Sequence, residues 1–144
     1  MNSDQQDIVA STRATLRETS RLVTELATRQ FSLIADEPHD DLPGDGPTPT
    51  EYLLMALASC TAQTLRGYTD RKYDYPGDII VEVSYHEPQE KGAARYLQRT
   101  ISLSEDVPPE HLQSMMEITE RTPVTLLLAF AWSVRTEFVN ADVR

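Results

Sequence analysis

Hydrophobic and polar residues alternate in the first part of the chain, which is the pattern of β-strands. Between residues 8 and 17 one parity is occupied by Ile8, Ala10, Thr12, Ala14 and Leu16. Residues 22–26 and 31–34 are predicted as further strands, with a turn at residues 17–20 and an interruption near Ala27-Thr28. Together these segments predict an antiparallel meander.

A long apolar helix is predicted after a loop over residues 36–49 that is dense in proline, glycine and aspartate. Thr48 or Thr50 can cap this helix, and Glu51 in its first turn suits the positive end of the helix dipole. Residues 52–60 are apolar on nearly every side, and the helix is expected to run to about Tyr68. A helix of this kind needs cover all round, which one subunit of this size can hardly supply. We therefore expect a homodimer with a shared core.

The second half of the chain predicts a hairpin, two helices and a last strand. Alternation indicates strands at residues 79–84 and 96–103, joined by a loop at residues 87–94. A helix should follow Val107-Pro108-Pro109-Glu110 and end or kink at Pro123. A short helix is expected over residues 124–131, and Trp132, Val134, Thr136 and Phe138 predict a closing strand. The fold class is α+β, with a tail over residues 1–7 and a single domain over residues 8–144.

Composition excludes several classes of function. The 23 acidic and 13 basic residues give a net charge of −10, which argues against nucleic-acid binding. No apolar run approaches the roughly 18 residues that span a membrane, and the N-terminus does not resemble a signal peptide. Cys60 is the only cysteine and the three histidines lie far apart, so neither a metal nor another cofactor is expected. The expected compartment is the reducing cytoplasm.

A family resemblance lies in the segment from Gly46 to Thr61, which combines a Pro-rich turn, Glu51, an apolar helix and Cys60. This segment resembles the OsmC/Ohr family. Residues 31–38, 68–72 and 121–124 are similar to other parts of the family, and the resemblance covers nearly the whole chain from about residue 8. It implies antiparallel sheets packed around a long buried central helix in an intertwined homodimer. It also implies reduction of organic or inorganic hydroperoxides by a low-pKa cysteine.

The resemblance makes Cys60 the peroxidatic residue, with a Glu and an Arg to assist it. Thr122 stands where two-cysteine members carry the resolving cysteine, so turnover here needs an external thiol. Glu51 lies nine residues before Cys60, whereas the family's peroxidases place the Glu ten before, at Thr50. Glu51 is the better candidate, because other branches of the family carry it at nine.

The positions of the assisting groups depend on the helix. Nine residues of helix span about 13 Å, so either the helix starts late or Glu51 serves the partner's site. Arg17 and Arg21, near the first hairpin turn, are the candidate arginines. A guanidinium would stabilise the Cys60 thiolate, and Glu51 would hold that guanidinium in place.

Each candidate residue also has a structural interpretation. Free cysteine is often a small buried hydrophobe, Glu51 can serve the helix dipole, and Thr122 before Pro123 can be a helix cap. The acidic loop over residues 36–45 has no calcium-loop spacing and is expected to be solvated. Three hypotheses follow: a one-cysteine thiol peroxidase, a non-catalytic redox-responsive or apolar-ligand-binding module, and a protein in which Cys60 only packs.

Overall fold

The structure, a computed structural model, describes residues 8–130 and 133–139 in two compact units, residues 1–55 and 56–144. The elements in chain order are β1 (Arg13–Leu16), β2 (Thr24–Thr28), β3 (Phe31–Ala35), α1 (Pro49–Lys72), β4 (Ile79–His86), β5 (Tyr96–Leu103), α2 (Pro109–Thr119) and α3 (Pro123–Ala129). The α+β class with antiparallel sheets is confirmed. The predicted tail over residues 1–7 lies outside the described residues, and the single domain over residues 8–144 stays a prediction.

The first unit contains the predicted antiparallel meander. β2 pairs with β1 and with β3, in registers that place Leu26 opposite both Ala14 and Leu33. The predicted interruption near Ala27-Thr28 is wrong, because β2 continues to Thr28 and pairs it with Phe31. The two intervening residues make the turn, and Arg29 takes a left-handed φ of 50° there. The first strand is shorter than predicted, because only Arg13–Leu16 of residues 8–17 pair with a neighbour.

The loop between β3 and α1 is organised by the buried carboxylate of Asp36. Its Oδ1 accepts the backbone N–H of Glu37 and its Oδ2 accepts the backbone N–H of Asp45. The hydrogen bond from Asp45, followed by that from Glu37 and by the charges of His39 and Arg21, lowers the pKa of Asp36, although burial acts in the opposite direction. The loop is therefore ordered around the one buried carboxylate of Asp36. Its other acidic residues, Glu37, Asp40, Asp41 and Asp45, are exposed, as predicted for a solvated acidic loop.

A glycine allows this loop to lie against the sheet. A Cβ at Gly46 would stand 2.5 Å from the backbone oxygen of Ile34, so no side chain fits there. The hydroxyl of Tyr52, at the start of α1, donates to the same Ile34 oxygen at 2.7 Å. The loop and the first turn of the helix are thus both fixed to the end of β3.

Helix α1 begins with a reciprocal capping box. The backbone N–H of Glu51 donates to Thr48 Oγ1 at 3.1 Å, and the backbone N–H of Thr48 donates to Glu51 Oε2 at 2.8 Å. This pairing satisfies two N–H groups of the helix start. Of the two predicted caps, Thr48 is therefore confirmed, and the helix runs to Lys72, four residues beyond the predicted end.

The buried residues of α1 form one stripe with a spacing of four, namely Leu57, Thr61, Leu65 and Thr69. Leu53 and Met55 remain 44% and 45% exposed in the single chain. Burial of this helix on every side is thus not achieved by one chain. The second subunit that would cover it stays a prediction.

The second unit contains the predicted hairpin. β4 and β5 pair over eight residues each, from Ile79 opposite Leu103 to His86 opposite Tyr96. Both predicted helices are present as well. Helix α2 ends at Thr119, before Pro123, and Pro123 begins α3 instead of ending α2. A proline fits this position, because the first helical N–H has no intrahelical acceptor.

The predicted closing strand is wrong for the described residues 133–139, which form no strand. Val134 and Phe138 are 90% and 97% exposed. Their alternation is typical of a strand, but a strand also needs a hydrogen-bonded neighbour, and none is present in the described chain. Trp132 and Ala131 lie outside the described residues. None of the helices described is long and apolar enough to cross a membrane.

Candidate functional site

Cys60 lies in the middle of α1 and is a free, half-buried cysteine. The next residue, Thr61, belongs to the buried stripe of α1. Because successive helical residues are rotated by about 100°, the Cys60 side chain points away from that stripe. Within residues 56–130 and 133–139 of the second unit, no side chain donates a hydrogen bond to its sulfur. The thiol is thus neither fully buried nor engaged by a neighbour in this unit.

Glu51 has a structural role in the single chain. Its carboxylate accepts the N–H of Thr48 in the capping box, and its own N–H is capped in return. Because α1 is continuous from Pro49, Glu51 and Cys60 are separated by about 13 Å along the helix. The alternative that the helix starts later than Glu51 is therefore wrong.

The two candidate arginines differ in their surroundings within the first unit. Arg17 donates to both carboxylate oxygens of Glu25, at 3.1 and 3.3 Å. Arg21 has a left-handed φ of 50° and lines a cavity together with Asp36 and His39. In the described part of the chain Arg21 forms no ion pair. Arg21 is thus the candidate whose guanidinium remains available.

A third arginine, Arg99 on β5, is bound by four acceptors in the second unit. Nη1 donates to Thr61 Oγ1 at 3.0 Å and to Thr125 Oγ1 at 2.8 Å. Nη2 donates to the carbonyl oxygen of Thr119 at 3.1 Å and to Glu120 Oε1 at 3.4 Å. The side chain is only 12% exposed. Arg99 therefore joins β5 to α1, α2 and α3 through one guanidinium.

Thr122 is fully buried and belongs to the same network. Its hydroxyl lies 2.6 Å from that of Thr125, and it accepts the backbone N–H of Thr125 as the cap of α3. The helix-cap interpretation of Thr122 is confirmed. The hydroxyls thus connect Thr122, through Thr125 and Arg99, to Thr61, which is the residue next to Cys60.

A cavity of about 540 Å³ lies beside this network in the second unit. Its apolar lining comes from Leu57, Leu97, Leu128 and Ala129, and its charged lining from Arg95, Arg99 and Glu120. Such a volume is typical of small-molecule pockets. Among the residues described, no group of three metal-ligating side chains is gathered anywhere.

Sequence reasoning did not single out Arg99, although the pattern contained a signal. Arg99 shares its parity with Leu97, Ile101 and Leu103 on β5, and the residues opposite these four are Val83, Tyr85, Val81 and Ile79. Arg99 is therefore the one charged residue among the eight on its face of the hairpin. A charge on an apolar face needs buried partners, and that requirement marks a functional or structural site.

Fold and site together define an α+β protein with a free cysteine in its longest described helix, and comparison with known proteins gives the family. Residues 42–137 match the family described as OsmC-like protein. This match covers two thirds of the chain, and the protein belongs to that family. Among curated proteins none matches the sequence.

Solved structures of the same family share the fold. An OsmC-like protein from Mycoplasma pneumoniae has a TM-score of 0.62 at 18% identity, covering 85% of this chain and 89% of its own. An organic hydroperoxide resistance protein OsmC from Legionella pneumophila has a TM-score of 0.57 at 16% identity, covering 85% and 91%. OhrB of Bacillus subtilis, also an organic hydroperoxide resistance protein, has a TM-score of 0.56 at 14% identity, covering 83% and 89%.

Proposed function

We propose that this protein reduces hydroperoxides through Cys60, with an external thiol as reductant. The observation that carries the proposal is the half-buried free thiol in the middle of the family's central helix. A cysteine that served packing alone would more commonly be fully buried. The resemblance of the segment around Cys60 to hydroperoxide-resistance proteins supplies the reaction class.

The first half of the reaction oxidises the sulfur by two electrons. The Cys60 thiolate attacks the outer oxygen of the hydroperoxide, an S–O bond forms and the O–O bond breaks. The alkoxide leaves and takes up a proton to become an alcohol. Cys60 is left as a sulfenic acid.

The second half returns Cys60 to the thiol. A first external thiol condenses with the sulfenic acid, which forms a mixed disulfide and releases water. A second thiolate attacks the external sulfur of that disulfide, so Cys60 leaves as a thiolate and the external pair becomes a disulfide. An external dithiol thus supplies both electrons, because the sequence contains no second cysteine that could resolve the sulfenic acid.

A homodimer is part of this proposal. Leu53 and Met55 on α1 stay exposed in one chain, and Phe31, Leu33 and Ile34 of the sheet are each at least 43% exposed. In a dimer, Arg21 and Glu51 of one chain would assist Cys60 of the other. Sedimentation at micromolar concentration should give the mass of two chains, and a stable monomer would contradict this part of the proposal.

Turnover is tested by following hydroperoxide loss in the presence of a dithiol. Wild-type protein is expected to consume cumene hydroperoxide or hydrogen peroxide catalytically, and Cys60→Ser to consume none. Arg21→Met should lower the rate far more than Arg17→Met, because Arg17 is already paired with Glu25. No consumption by the wild type with any peroxide and dithiol would contradict the proposal.

A second candidate function follows from Thr122, which stands where the family resemblance places the resolving cysteine. Without a second cysteine, oxidised Cys60 has no internal partner, and the protein would act as a stoichiometric redox-responsive module. A long-lived sulfenic acid or mixed disulfide on Cys60 with no catalytic consumption would favour this alternative.

A further inference from the structure

We infer that the cavity beside Arg99 binds a small amphipathic monocarboxylate, such as a medium-chain fatty acid. The inference rests on the side chains of the second unit alone. Cys60 is not among the described residues that line this cavity, so binding there is separable from peroxide reduction.

The first observation is the placement of a positive charge on an apolar face. Arg99 is 12% exposed, and its neighbours on the inner face of the hairpin carry no charge. Three of its four acceptors are neutral, namely two threonine hydroxyls and the carbonyl oxygen of Thr119. A buried guanidinium with neutral partners still favours an anion at close range.

The second observation is that Arg99 binds Glu120, its one carboxylate partner in the described chain, only weakly. Glu120 lies 3.4 Å from Nη2, longer than the roughly 2.7–2.9 Å of a strong charge-assisted bond. Its side chain is 76% exposed, so water competes for it. The site thus already accepts a carboxylate, and a ligand carboxylate can take the place of Glu120 without breaking the threonine contacts.

The third observation gives the rest of the ligand its chemistry. Leu57, Leu97 and Leu128 form the apolar part of the cavity wall. Another part of it is lined by Arg95, Tyr85, Tyr96 and Gln98. An anion with an apolar body can pair its charge with the guanidinium and pack its hydrocarbon against the leucines, whereas a multiply charged anion has no hydrocarbon to pack there. The net charge of −10 also disfavours highly charged anions.

The test compares octanoate with octanol by calorimetry on the full-length protein. Octanoate is expected to bind saturably at one molecule per chain, and octanol about tenfold or more weakly, because it lacks the charge-assisted bond. In Glu120→Gln the competing charge is gone, and octanoate should bind about two- to fivefold more tightly.

Two variants on α3 supply a matched pair that leaves Arg99 intact. Leu128 lines the cavity and is 39% exposed, whereas Leu127 is 46% exposed and does not line it. Leu128→Asp places a like charge against the ligand and should weaken octanoate binding by about tenfold or more, whereas Leu127→Asp should leave it unchanged. Circular dichroism confirms that both variants are folded.

Three results would overturn the inference. They are equal binding of octanol and octanoate, absence of octanoate binding in both the wild type and Glu120→Gln, and equal weakening by the two α3 variants. None of them bears on Cys60. A protein that binds octanoate but consumes no hydroperoxide would leave this inference standing and contradict the proposed function instead.

Discussion

Arg99 Nη1 donates a hydrogen bond to Thr61 Oγ1 at 3.0 Å, which fixes β5 to α1 one residue beyond Cys60. Thr61 is fully buried, and its hydroxyl also donates to the carbonyl oxygen of Leu57 at 2.8 Å. A polar contact thus fastens the helix turn that carries the thiol to strand β5. The position of Cys60 depends on this contact as well as on packing.

Removal of the Arg99 guanidinium should destabilise the protein. Arg99→Met loses four hydrogen bonds from a nearly buried charge, and we expect the free energy of unfolding to fall by about 1–3 kcal/mol. Arg95→Met is the control, because the ion pair of Arg95 with Glu87 is exposed on both sides and should contribute about 0–1 kcal/mol. Urea unfolding measures both. Equal losses would show that Arg99 does not join the elements as described.

Two substitutions of Glu51 distinguish its role as a helix cap from a role in catalysis. Glutamine also completes a capping box, so Glu51→Gln should keep the wild-type stability to within a few tenths of a kcal/mol, whereas Glu51→Ala should lose about 1 kcal/mol. If Glu51 also holds an arginine for the partner's Cys60, Glu51→Gln should still lose most of its peroxide turnover. Full turnover in Glu51→Gln would show that Glu51 serves only as part of the helix cap.

Acid should weaken the first unit through Asp36. Its lowered pKa means that the unfolded chain takes up a proton at a higher pH than the folded chain. The stabilisation by this carboxylate is therefore fully present above about pH 4–5, near the pKa of an ordinary Asp, and is lost as the pH falls through the folded-state pKa. Asp36→Asn should be less stable than the wild type at pH 7 and should depend less on pH below about pH 4.

The control for this pH dependence is Asp41→Asn, which removes an exposed carboxylate of the same loop. Asparagine tolerates the left-handed φ of 64° that Asp41 adopts, so this variant should follow the wild-type curve. Denaturant unfolding at pH 7 and at pH 3 compares the three proteins. If the free energy of unfolding of Asp36→Asn varied with pH as that of the wild type does, Asp36 would make no contribution to the pH dependence of stability.

A cysteine in place of Thr122 should restore an internal resolving step. Thr122 connects through Thr125 and Arg99 to Thr61 beside Cys60. The family resemblance places the second cysteine at this position. After one equivalent of hydroperoxide, Thr122→Cys is expected to lose the mass of two hydrogen atoms, because a disulfide forms between Cys60 and the introduced thiol. The wild type should gain one oxygen atom instead. A Thr122→Cys protein that only gains oxygen would contradict the assignment of Thr122 to the resolving position.

Much of the fold could be predicted from the sequence because its signals are local. Alternation indicated β4 and β5, the apolar run indicated α1, and Thr48 with its flanking prolines marked the helix start. The predicted strand at Val134–Phe138 failed because a strand also depends on a neighbour that local pattern does not supply. The predicted interruption at Ala27-Thr28 was wrong because the turn begins at Arg29. Arg29 adopts a left-handed conformation, which an arginine in the sequence does not indicate.

The candidate site was less predictable, because its contacts join residues distant in the chain. Cys60 and the cap at Thr122 follow from their local segments. The four acceptors of Arg99 come from α1, the end of α2 and α3, so only the fold brings them together. The capping role of Glu51 was visible in the spacing Thr48-x-x-Glu51, whereas the pairing of Arg17 with Glu25 depends on the strand register.

The reactivity of Cys60 is tested most directly by trapping its oxidised form. Folded protein is treated with one equivalent of cumene hydroperoxide in the presence of dimedone, and intact mass is measured, with Cys60→Ser as the control. We predict one dimedone adduct per chain on Cys60 and none in Cys60→Ser. A folded wild-type protein whose mass stays unchanged, while the same protein in urea reacts, would contradict a peroxidatic role for this thiol.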